Sequence, residues 1–389
     1  MYVRLAAAVA ASLVAAAVAH AQSLQPLPAL PTGASANIKQ LSGDGSTLAA
    51  INDSTIYRFR NGAWQSLAND WTPFQGEANP YRLRDSGVHL SRDGLVVGAT
   101  ARTTQFDGFF ARIYRDGTWR STQFPSLVYG ISADGNRYVG EALFSSNTVP
   151  HVGTWNGSSY TVIEGNTSSV FPSEQRFSQG PLQGADDIRR FQGISADGQT
   201  AISYSSGVGG GTIVRHGQSP AANVGRPAGQ PLPVPGSEEF LSPVAMSGDA
   251  GVIVGLFTNN DGATQRPFRW TAATGSIFLN LPALPTADIS FDGNMLVLAN
   301  GNIYYHNIAD TLTAAQVLTS GGIDINNWSD LRITQLSDNG QTLAGFGTFN
   351  SPPGVITNTP WVATIPTPSM LAMLAVTALV SSRRKRTNV

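Results

Sequence analysis

The chain has no cysteine and little charge: 13% of its 389 residues are Asp, Glu, Lys or Arg, against about 25% in an average soluble domain. The lack of cysteine excludes disulfides, thiolate metal sites and a cysteine nucleophile. Lysine occurs only at Lys39 and Lys385, so a lysine Schiff base or a phosphate-binding lysine loop is nearly excluded. The hydrophobic content of 41% is still enough for a large core.

The first 21 residues have the pattern of a secretory signal peptide. Arg4 precedes an apolar run over residues 5–18, and residues 19–21 (Ala-His-Ala) fit a small-x-small cleavage site. The pattern predicts export with cleavage before Gln22. A membrane anchor is the alternative, but the run is short for a transmembrane span.

The last 24 residues have a second processing pattern, in which a proline motif precedes an apolar run over residues 370–380 and a terminal cluster of cations. The motif is formed by Pro366, Thr367 and Pro368, and the cluster by Arg383, Arg384, Lys385 and Arg386. This pattern resembles the PEP-CTERM sorting tail of exported bacterial proteins, with Thr367 where Glu is usual. The resemblance implies a transient membrane segment that a processing transpeptidase removes. A permanent tail anchor, with the cations on the cytoplasmic side, is the alternative.

Between these segments, residues 22–365 contain 19 Lys and Arg against 25 Asp and Glu. An acidic body without a basic stripe argues against a nucleic-acid partner. The same charge argues against tight binding of an acidic polysaccharide through overall charge.

A five-residue turn motif, apolar-Ser-x-Asp-Gly with two variants, occurs seven times between residues 41 and 340, at intervals of 41 to 63 residues. Its turn residues are Asp44, Asp93, Asp134, Asp197, Asp249, Asp292 and Asn339. The Asp-Gly pair predicts a type I′ hairpin turn, in which both central residues have positive φ. Apolar, β-prone residues that end in a small residue follow most copies, which predicts a close approach of two backbones.

Several repeats contain a second Asn-Gly or Asp-Gly turn, as in residues 57–64 and 113–119. Two hairpins make four short strands per repeat, which is the size of a propeller blade. The sequence therefore predicts an all-β fold: a β-propeller of seven four-stranded blades, closed by residues near 23–27 completing the last blade, with a short helix at each terminus. An open β-solenoid is the alternative, but solenoid repeats are shorter and more regular.

The turn motif, the Val-Gly that follows it and the later Phe268-Arg269-Trp270 together resemble the HAF-type extracellular repeat. The resemblance covers roughly residues 33–365 and implies a propeller-like bacterial surface or secreted protein, with no enzymatic activity implied. The TolB-type periplasmic propeller repeat is also similar, but no copy here has the Pro and Lys of its Ser-Pro-Asp-Gly-Lys phrase.

The side chains of the turn motif are expected to stabilise turns rather than bind calcium, because the motif supplies one turn carboxylate or amide per copy. Its spacing also differs from the sialidase motif Ser-x-Asp-x-Gly-x-x-Trp. The five histidines have no metal-ligand spacing. They are His20, His89, His151, His216 and His306. The sequence therefore assigns no catalytic residue, metal ligand or cofactor.

The best candidates for a ligand loop lie in the long insertion that follows Gly140, because binding residues on rigid scaffolds are often carried by loops. The tentative ligand residues are Asp186, Asp187, Arg189 and Arg190. A second insertion, rich in Pro and Gly, covers residues 218–239. A solvated insertion without function is the alternative in both cases.

Together these patterns predict an exported, surface-associated propeller that acts as a structural or binding module without catalysis. By resemblance to proteins with such sorting tails, its partner is an exopolysaccharide or a matrix protein. An exported carbohydrate-active hydrolase or lyase is the main alternative, and it would need an acid and a base converging at the central funnel. A periplasmic scaffold is the third.

Overall fold

The computed structural model describes residues 22–52, 55–67, 82–102, 109–144, 147–164, 174–176, 189–207, 210–216, 240–258, 265–351 and 354–365. Both predicted terminal segments lie outside these residues. The described chain is almost entirely short antiparallel strands and the turns that join them, with one described helix, α1 (Ala314–Ser320).

The strands of the first half are β1 (Gln22–Ser23), β2 (Asn37–Leu41), β3 (Thr47–Asn52), β4 (Thr55–Arg60), β5 (Ala63–Leu67), β6 (Arg82–Leu90), β7 (Val97–Arg102), β8 (Phe109–Arg115), β9 (Thr118–Ile131), β10 (Arg137–Phe144), β11 (Asn147–Trp155), β12 (Tyr160–Glu164), β13 (Glu174–Arg176) and β14 (Arg189–Ile194). Those of the second half are β15 (Ala201–Gly207), β16 (Gly210–His216), β17 (Phe240–Met246), β18 (Val252–Thr258), β19 (Gln265–Thr271), β20 (Gly275–Phe278), β21 (Pro285–Ile289), β22 (Met295–Leu298), β23 (Ile303–Tyr305), β24 (Asp310–Leu312), β25 (Ile323–Asp324), β26 (Trp328–Leu336), β27 (Thr342–Ser351) and β28 (Gly354–Thr364).

The strands form repeat units, each with one turn motif, arranged as a β-propeller. Units 1 to 7 consist of β2–β5, β6–β9, β9–β12, β13–β16, β17–β20, β21–β24 and β26–β28. Units 2 and 3 belong to one seven-stranded sheet, so the propeller has six blades. The prediction of seven separate four-stranded blades is therefore wrong.

Strand β9 is the reason for the lower blade count. It has 14 residues, and it pairs with β8 through its first part and with β10 through its second. The sequence between Trp119 and Tyr129 contains Pro125 but no Gly, Asn or Asp, the residues that adopt positive φ in the second hairpin turns. The outer strand of unit 2 continues into the inner strand of unit 3 without a turn. Unit 4 also departs from the predicted order, because its outer strand β13 precedes the other three along the chain. Unit 7 has three strands of its own, as predicted for the blade that the N-terminal segment completes.

The turn motif has nearly the same hydrogen bonds in every unit. In unit 2, Ser91 Oγ donates to Asp93 Oδ1 at 2.7 Å and accepts the N–H of Val96 at 2.9 Å. Asp93 Oδ1 also accepts the N–H of Leu95 at 3.0 Å. The serine is completely buried, so its hydroxyl links the two strands of the hairpin from inside.

The predicted type I′ geometry is wrong for the turn motif. Gly94 has φ +67°, but Asp93 is not among the described residues with positive φ. The turn instead closes through a bond from Gly94 N to Ser91 O at 2.9 Å, and the serine and aspartate side chains supply the remaining bonds. The second hairpins do have type I′ geometry where Asn61-Gly62 and Asp116-Gly117 stand, with positive φ at both residues of each pair.

Backbone hydrogen bonds between neighbouring turn motifs form a closed ring, which we call the turn ring. Seven bonds of 2.8–3.2 Å connect the units in order, and the last returns to unit 1. They run from Asp44 N to Arg92 O, Arg92 N to Ala133 O, Ala133 N to Ala196 O, Ala196 N to Gly248 O, Asp249 N to Phe291 O, Phe291 N to Asp338 O, and Asp338 N to Gly43 O.

Arginine side chains add contacts between neighbouring units near the turn ring. Arg115 Nη1 donates to the carbonyl of Gly135, the turn glycine of the next unit, at 2.9 Å. Arg137 Nη1 makes the equivalent bond to Gly198 at 2.9 Å. Two of the few charged residues of this chain, Arg115 and Arg137, thus connect adjacent units at their turns.

The N-terminal segment closes the propeller at the position predicted for it. Leu27 N donates to Pro360 O at 2.9 Å, and Pro26 forms an antiparallel bridge with Trp361 of β28. Trp328 Nε1 donates to Leu24 O at 2.9 Å. The pairing is a single bridge with flanking bonds rather than a complete fourth strand.

The hydrophobic core lies between the units. Ile51 and Leu67 of unit 1 pack with Val88 and Val97 of unit 2, and equivalent clusters follow around the fold. The small residue after the turn permits the predicted close approach: a Cβ atom on Gly255 would lie 2.6 Å from the carbonyl oxygen of Ser242. Glycine is therefore required there by the neighbouring strand.

Ala250 occupies the turn position at which the other six motifs have glycine, and its φ of +57° is in the left-handed region. The left-handed conformation of an alanine costs about 1–2 kcal/mol. Replacement by glycine removes this strain, but the greater flexibility of glycine in the unfolded chain offsets part of the gain in stability. We expect Ala250→Gly to raise the free energy of unfolding by about 0.5–1 kcal/mol in urea denaturation. Ala273→Gly, at an exposed turn position without positive φ, is the control and should not stabilise. Equal or opposite effects of the two variants would show that Ala250 is not strained.

Candidate functional site

The inner strands of the units surround an axial channel of about 390 Å³. Its lining comes from β2, β6, β9, β14, β17, β21 and β26, so all seven units contribute. The turn ring lies at one end of this channel because each turn motif directly follows an inner strand. A cavity of this size falls within the range of small-molecule sites.

A β-bulge lies in the inner strand of most units, immediately before the residue that precedes the turn motif. The register of unit 1 skips Lys39, that of unit 3 skips Tyr129, and that of unit 7 skips Thr334. All three residues line the channel. Bulges re-aim side chains at functional sites, and here the bulged residue is the one that faces the axis.

In three consecutive units around the ring, the residue that precedes the turn motif forms a hydrogen bond to the next unit. Side-chain oxygens of Asp288, Gln335 and Gln40 each accept the backbone N–H of the first motif residue in the next unit. The acceptor distances are 2.6 Å to Leu336, 3.3 Å to Leu41 and 2.8 Å to Leu90. These polar side chains therefore join units 6, 7, 1 and 2 along the channel wall.

The equivalent residues of units 3, 4 and 5 are Gly130, Gly193 and Ala245, which have no side-chain oxygen. A Cβ atom on Gly130 would lie 3.2 Å from the backbone N of Ile194, so this nitrogen faces the glycine. A Cβ atom on Gly193 would meet only Ile202, at 3.9 Å. The channel wall thus has side-chain oxygens at this position in units 6, 7 and 1 and small residues in units 3, 4 and 5, with open space beside Gly193.

Burial shifts the pKa values of two titratable groups in the channel. It lowers the pKa of His89 to about 4, so this imidazole is neutral at physiological pH. Burial also raises the pKa of Asp288 to about 7, although the N–H groups of Leu336 and Ile289 partly oppose the shift. Lys39 is the cation of the lining.

Tyr129 connects the channel with a buried carboxylate. Its hydroxyl donates to Glu141 Oε2 at 2.9 Å, and Glu141 is 1% exposed. A bond to a carboxylate is stronger than a neutral one, so Tyr129 is held in place on the channel wall. Glu141 itself does not line the channel.

An ion pair lies across the turn ring at the end of the channel. Arg92 Nε is 3.0 Å from a carboxylate oxygen of Asp338, and the guanidinium lies 5.8 Å from the centre of the Phe291 ring. Burial raises the pKa of Asp338, and Arg92 opposes that shift. All three residues occupy the variable position of the turn motif.

The structure places the sequence-predicted site residues away from the channel lining or outside the described chain. The turn residues Asp44, Asp93, Asp134, Asp197, Asp249, Asp292 and Asn339 accept bonds within their own turns. Asp186 and Asp187 lie outside the described residues, as does the whole sorting motif. Arg189 and Arg190 begin β14, whose later residues Gly193 and Ile194 do line the channel.

Sequence reasoning missed the channel residues because it concentrated on the turn motif itself. The residue directly before the motif is Gln40, His89, Gly130, Gly193, Ala245, Asp288 or Gln335 in the seven copies. An alignment of the copies would have shown that this position is polar in four units and small in three. A position that varies between polar and small residues beside a constant motif indicates a side chain that faces a shared axis.

The described residues contain no group of three or more His, Asp or Glu side chains placed to hold a metal ion. Within the same described ranges, no helix is long and apolar enough to cross a membrane.

No protein-family model and no curated protein matches this sequence. Among solved structures, it is similar to a putative TolB from Agrobacterium tumefaciens, at 15% identity and a TM-score of 0.40, over 63% of this chain and 80% of that one. An oligogalacturonate lyase in complex with manganese has 12% identity and a TM-score of 0.47, over 86% and 90%. The Dos1 propeller has 11% identity and a TM-score of 0.45, over 89% and 86%. The fold assignment rests on the strand topology, and the HAF and PEP-CTERM resemblances stay predictions.

The raised pKa of Asp288 predicts a loss of stability as the pH rises. Asp288 binds its proton more tightly in the folded protein than in the unfolded chain, where its pKa is about 3.9. Unfolding free energy should therefore decrease between about pH 4 and pH 8. In Asp288→Asn, the amide oxygen can still accept the N–H of Leu336, so the variant should be more stable than wild type at pH 8, by on the order of 2 kcal/mol. If the unfolding free energies of wild type and Asp288→Asn changed with pH in parallel, the raised pKa of Asp288 would be contradicted.

Proposed function

We propose that the protein is an exported binding module that holds a small ligand in its axial channel without changing it chemically. The observation that carries the proposal is the lining of the channel. It combines a cation, two amides and the hydroxyl groups of Thr286 and Thr334 in units 6, 7 and 1 with open space beside Gly193 in unit 4. Such a mixture of polar anchors and small residues suits ligand binding.

The same lining supports binding over hydrolysis. Asp288 is the only carboxylate among the described residues that line the channel, and it accepts the backbone N–H of Leu336. Glycoside hydrolysis in its common form needs two carboxyl groups, about 5–9.5 Å apart, on either side of the scissile bond. The described lining supplies one such carboxyl group, that of Asp288.

The export part of the proposal rests on the two terminal patterns. The signal peptide pattern and the sorting-tail pattern support a chain that leaves the cytoplasm and passes through a membrane-anchored intermediate. Exopolysaccharide or a matrix protein outside the cell is the proposed partner. A secreted species whose intact mass corresponds to a start near Gln22 and an end near Pro366 would support this route. A full-length chain retained in the membrane would contradict it.

A carbohydrate-active hydrolase or lyase is the second candidate. It is favoured by one observation: His89 and Asp288 line the same channel with pKa values displaced in opposite directions. Displaced pKa values are frequent at active sites. Product formation separates this candidate from a binding module.

The decisive experiment combines binding and turnover on oligosaccharides prepared from the exopolysaccharide of the producing cells. Calorimetry measures binding, and chromatography of the same samples measures products. In Gly193→Phe the ring should enter the channel, since a Cβ there meets only Ile202 at 3.9 Å. We expect wild type to bind and return the oligosaccharides unchanged, and Gly193→Phe to bind at least about tenfold more weakly, a loss of about 1.4 kcal/mol.

The matched control is Gly354→Phe, because a Cβ at this exposed glycine meets nothing within 4 Å. It should bind like wild type. Shortened or unsaturated products with wild type would contradict the binding-module proposal in favour of the enzyme. Equal binding by Gly193→Phe and wild type would place the ligand outside the channel.

A further inference from the structure

Two glutamine side chains of the channel wall have amide nitrogens that are open to a ligand. The side-chain oxygen of Gln40 accepts the N–H of Leu90, and that of Gln335 accepts the N–H of Leu41. Neither Nε2 atom has a hydrogen-bond partner among the described residues, and neither is buried. Because both residues line the channel, their N–H groups can be reached from it.

The bonds of the two side-chain oxygens fix the direction of these donors. An amide whose oxygen accepts a backbone N–H cannot exchange its oxygen and nitrogen without losing that bond. Gln335 binds the residue that follows Gln40, so the two amides lie in adjacent positions along the wall of units 7 and 1. They form a preorganised pair of donors for an oxygen atom of a ligand.

Two threonines of the same wall act as acceptors. Thr286 Oγ1 donates its proton to the carbonyl of Val297 at 3.0 Å, and Thr334 Oγ1 donates to that of Ala344 at 3.4 Å. Each hydroxyl oxygen keeps at least one lone pair for a ligand. A ligand that uses this wall must therefore have an acceptor for the glutamines and a donor for the threonines.

The groups of this wall that are open to a ligand are uncharged. Lys39 has an interaction of its own within the protein, and Asp288 accepts the N–H of Leu336. Recognition by the amides and hydroxyls alone requires no charge on the ligand, and the acidic body of the protein does not favour an anion.

Units 4 and 5 line the channel with apolar or small residues. Their described lining residues are Gly193, Ile194, Val244, Ala245 and Met246. Beside Gly193 the space is open, because a Cβ atom there would meet only Ile202, at 3.9 Å. This part of the wall suits a small apolar group such as a methyl.

We propose that the channel binds an uncharged N-acetylated sugar unit, whose acetamido carbonyl accepts the N–H groups of Gln40 and Gln335 while its methyl group lies against the apolar residues of units 4 and 5. The amide N–H and the hydroxyl groups of such a unit supply the donors that Thr286 and Thr334 accept. This inference rests on the proposed binding function. It assigns the chemical class of the ligand and the residues that select it.

The first test compares acetylated sugars with their parent sugars by calorimetry and ligand-detected NMR. The probes are N-acetyl-D-glucosamine with D-glucose and N-acetyl-D-galactosamine with D-galactose, and the members of each pair differ only in the acetamido group. The wild-type protein should bind at least one acetylated sugar about tenfold more tightly than its parent, because only the acetamido group uses both the amide donors and the apolar space. If neither acetylated sugar binds more tightly than its parent, the assignment is overturned.

The second test removes the donors and keeps the contacts between units. In Gln40→Glu and Gln335→Glu, a side-chain oxygen can still accept the backbone N–H of the next unit, but both N–H donors are replaced by an acceptor. Each variant should bind the acetylated sugar at least about tenfold more weakly, with a melting temperature close to that of wild type. Unchanged binding in both variants would overturn the assigned residues.

The matched control is Gln65→Glu, which changes the charge by the same amount outside the channel. Gln65 is exposed on β5, and its side-chain oxygen accepts a bond from Arg58 at 2.7 Å, which a glutamate can also accept. This variant should bind the acetylated sugar like wild type. Equal weakening in the control and the channel variants would show that charge, not the loss of the donors, lowers the affinity, and would overturn the assigned residues.

A third probe, N-acetyl-L-alanine methylamide, separates a sugar from a peptide. It has the carbonyl, N–H and methyl groups of the acetamido unit but no hydroxyl. The acetylated sugar should bind more tightly than this probe. Tighter binding of the methylamide would overturn the sugar in favour of a peptide ligand.

The two proposals can fail separately. Oligosaccharide binding that is lost in Gly193→Phe, together with no preference for acetylated sugars, would leave the channel as the binding site and overturn the acetamido group. Failure of the oligosaccharides and of all the simple probes would overturn the binding function as well.

Discussion

The turn ring is the constraint on which the rest of the structure depends. Six backbone hydrogen bonds join turns that follow one another in sequence, and a seventh, from Asp338 N to Gly43 O, joins the last turn to the first. Each turn is itself fixed by a buried serine and an aspartate or asparagine side chain. A buried hydroxyl that lost its partners would cost about 1–3 kcal/mol. The serine of the motif is therefore as important as the Asp-Gly pair that makes the motif visible.

Because the turns fix one end of every inner strand, the residues just before them can differ without moving the backbone. The bulge before the motif sends Lys39, Tyr129 or Thr334 toward the axis, while the next position either joins two units, as Asp288 does, or leaves open space, as Gly193 does. The scaffold and the binding surface thus occupy neighbouring positions of the same repeat. A constant turn supports a variable channel wall, as in other folds that carry function on a rigid frame.

The all-β class, the propeller architecture and the closing N-terminal segment could be predicted from the spacing of the turn motif and the second hairpins. The number of blades could not, because the continuity of β9 depends on the absence of a turn near Pro125 rather than on any motif. The predicted turn type was wrong because it followed from the Asp-Gly pair alone, whereas the motif serine supplies hydrogen bonds that fix a different turn. The channel residues were missed because their proximity arises only when distant strands meet at the axis.

Native-state hydrogen exchange tests the turn ring most directly. The amide protons of Arg92, Ala133, Ala196 and Phe291 are donors in the ring, so opening any one requires adjacent units to separate. These amides should exchange together, with an opening free energy close to that of global unfolding. The N–H of Gly62, in the second hairpin turn of unit 1, is a reference outside the ring and should exchange faster. Ring amides that exchange as fast as this reference, or at widely different rates from one another, would contradict the central role of the ring.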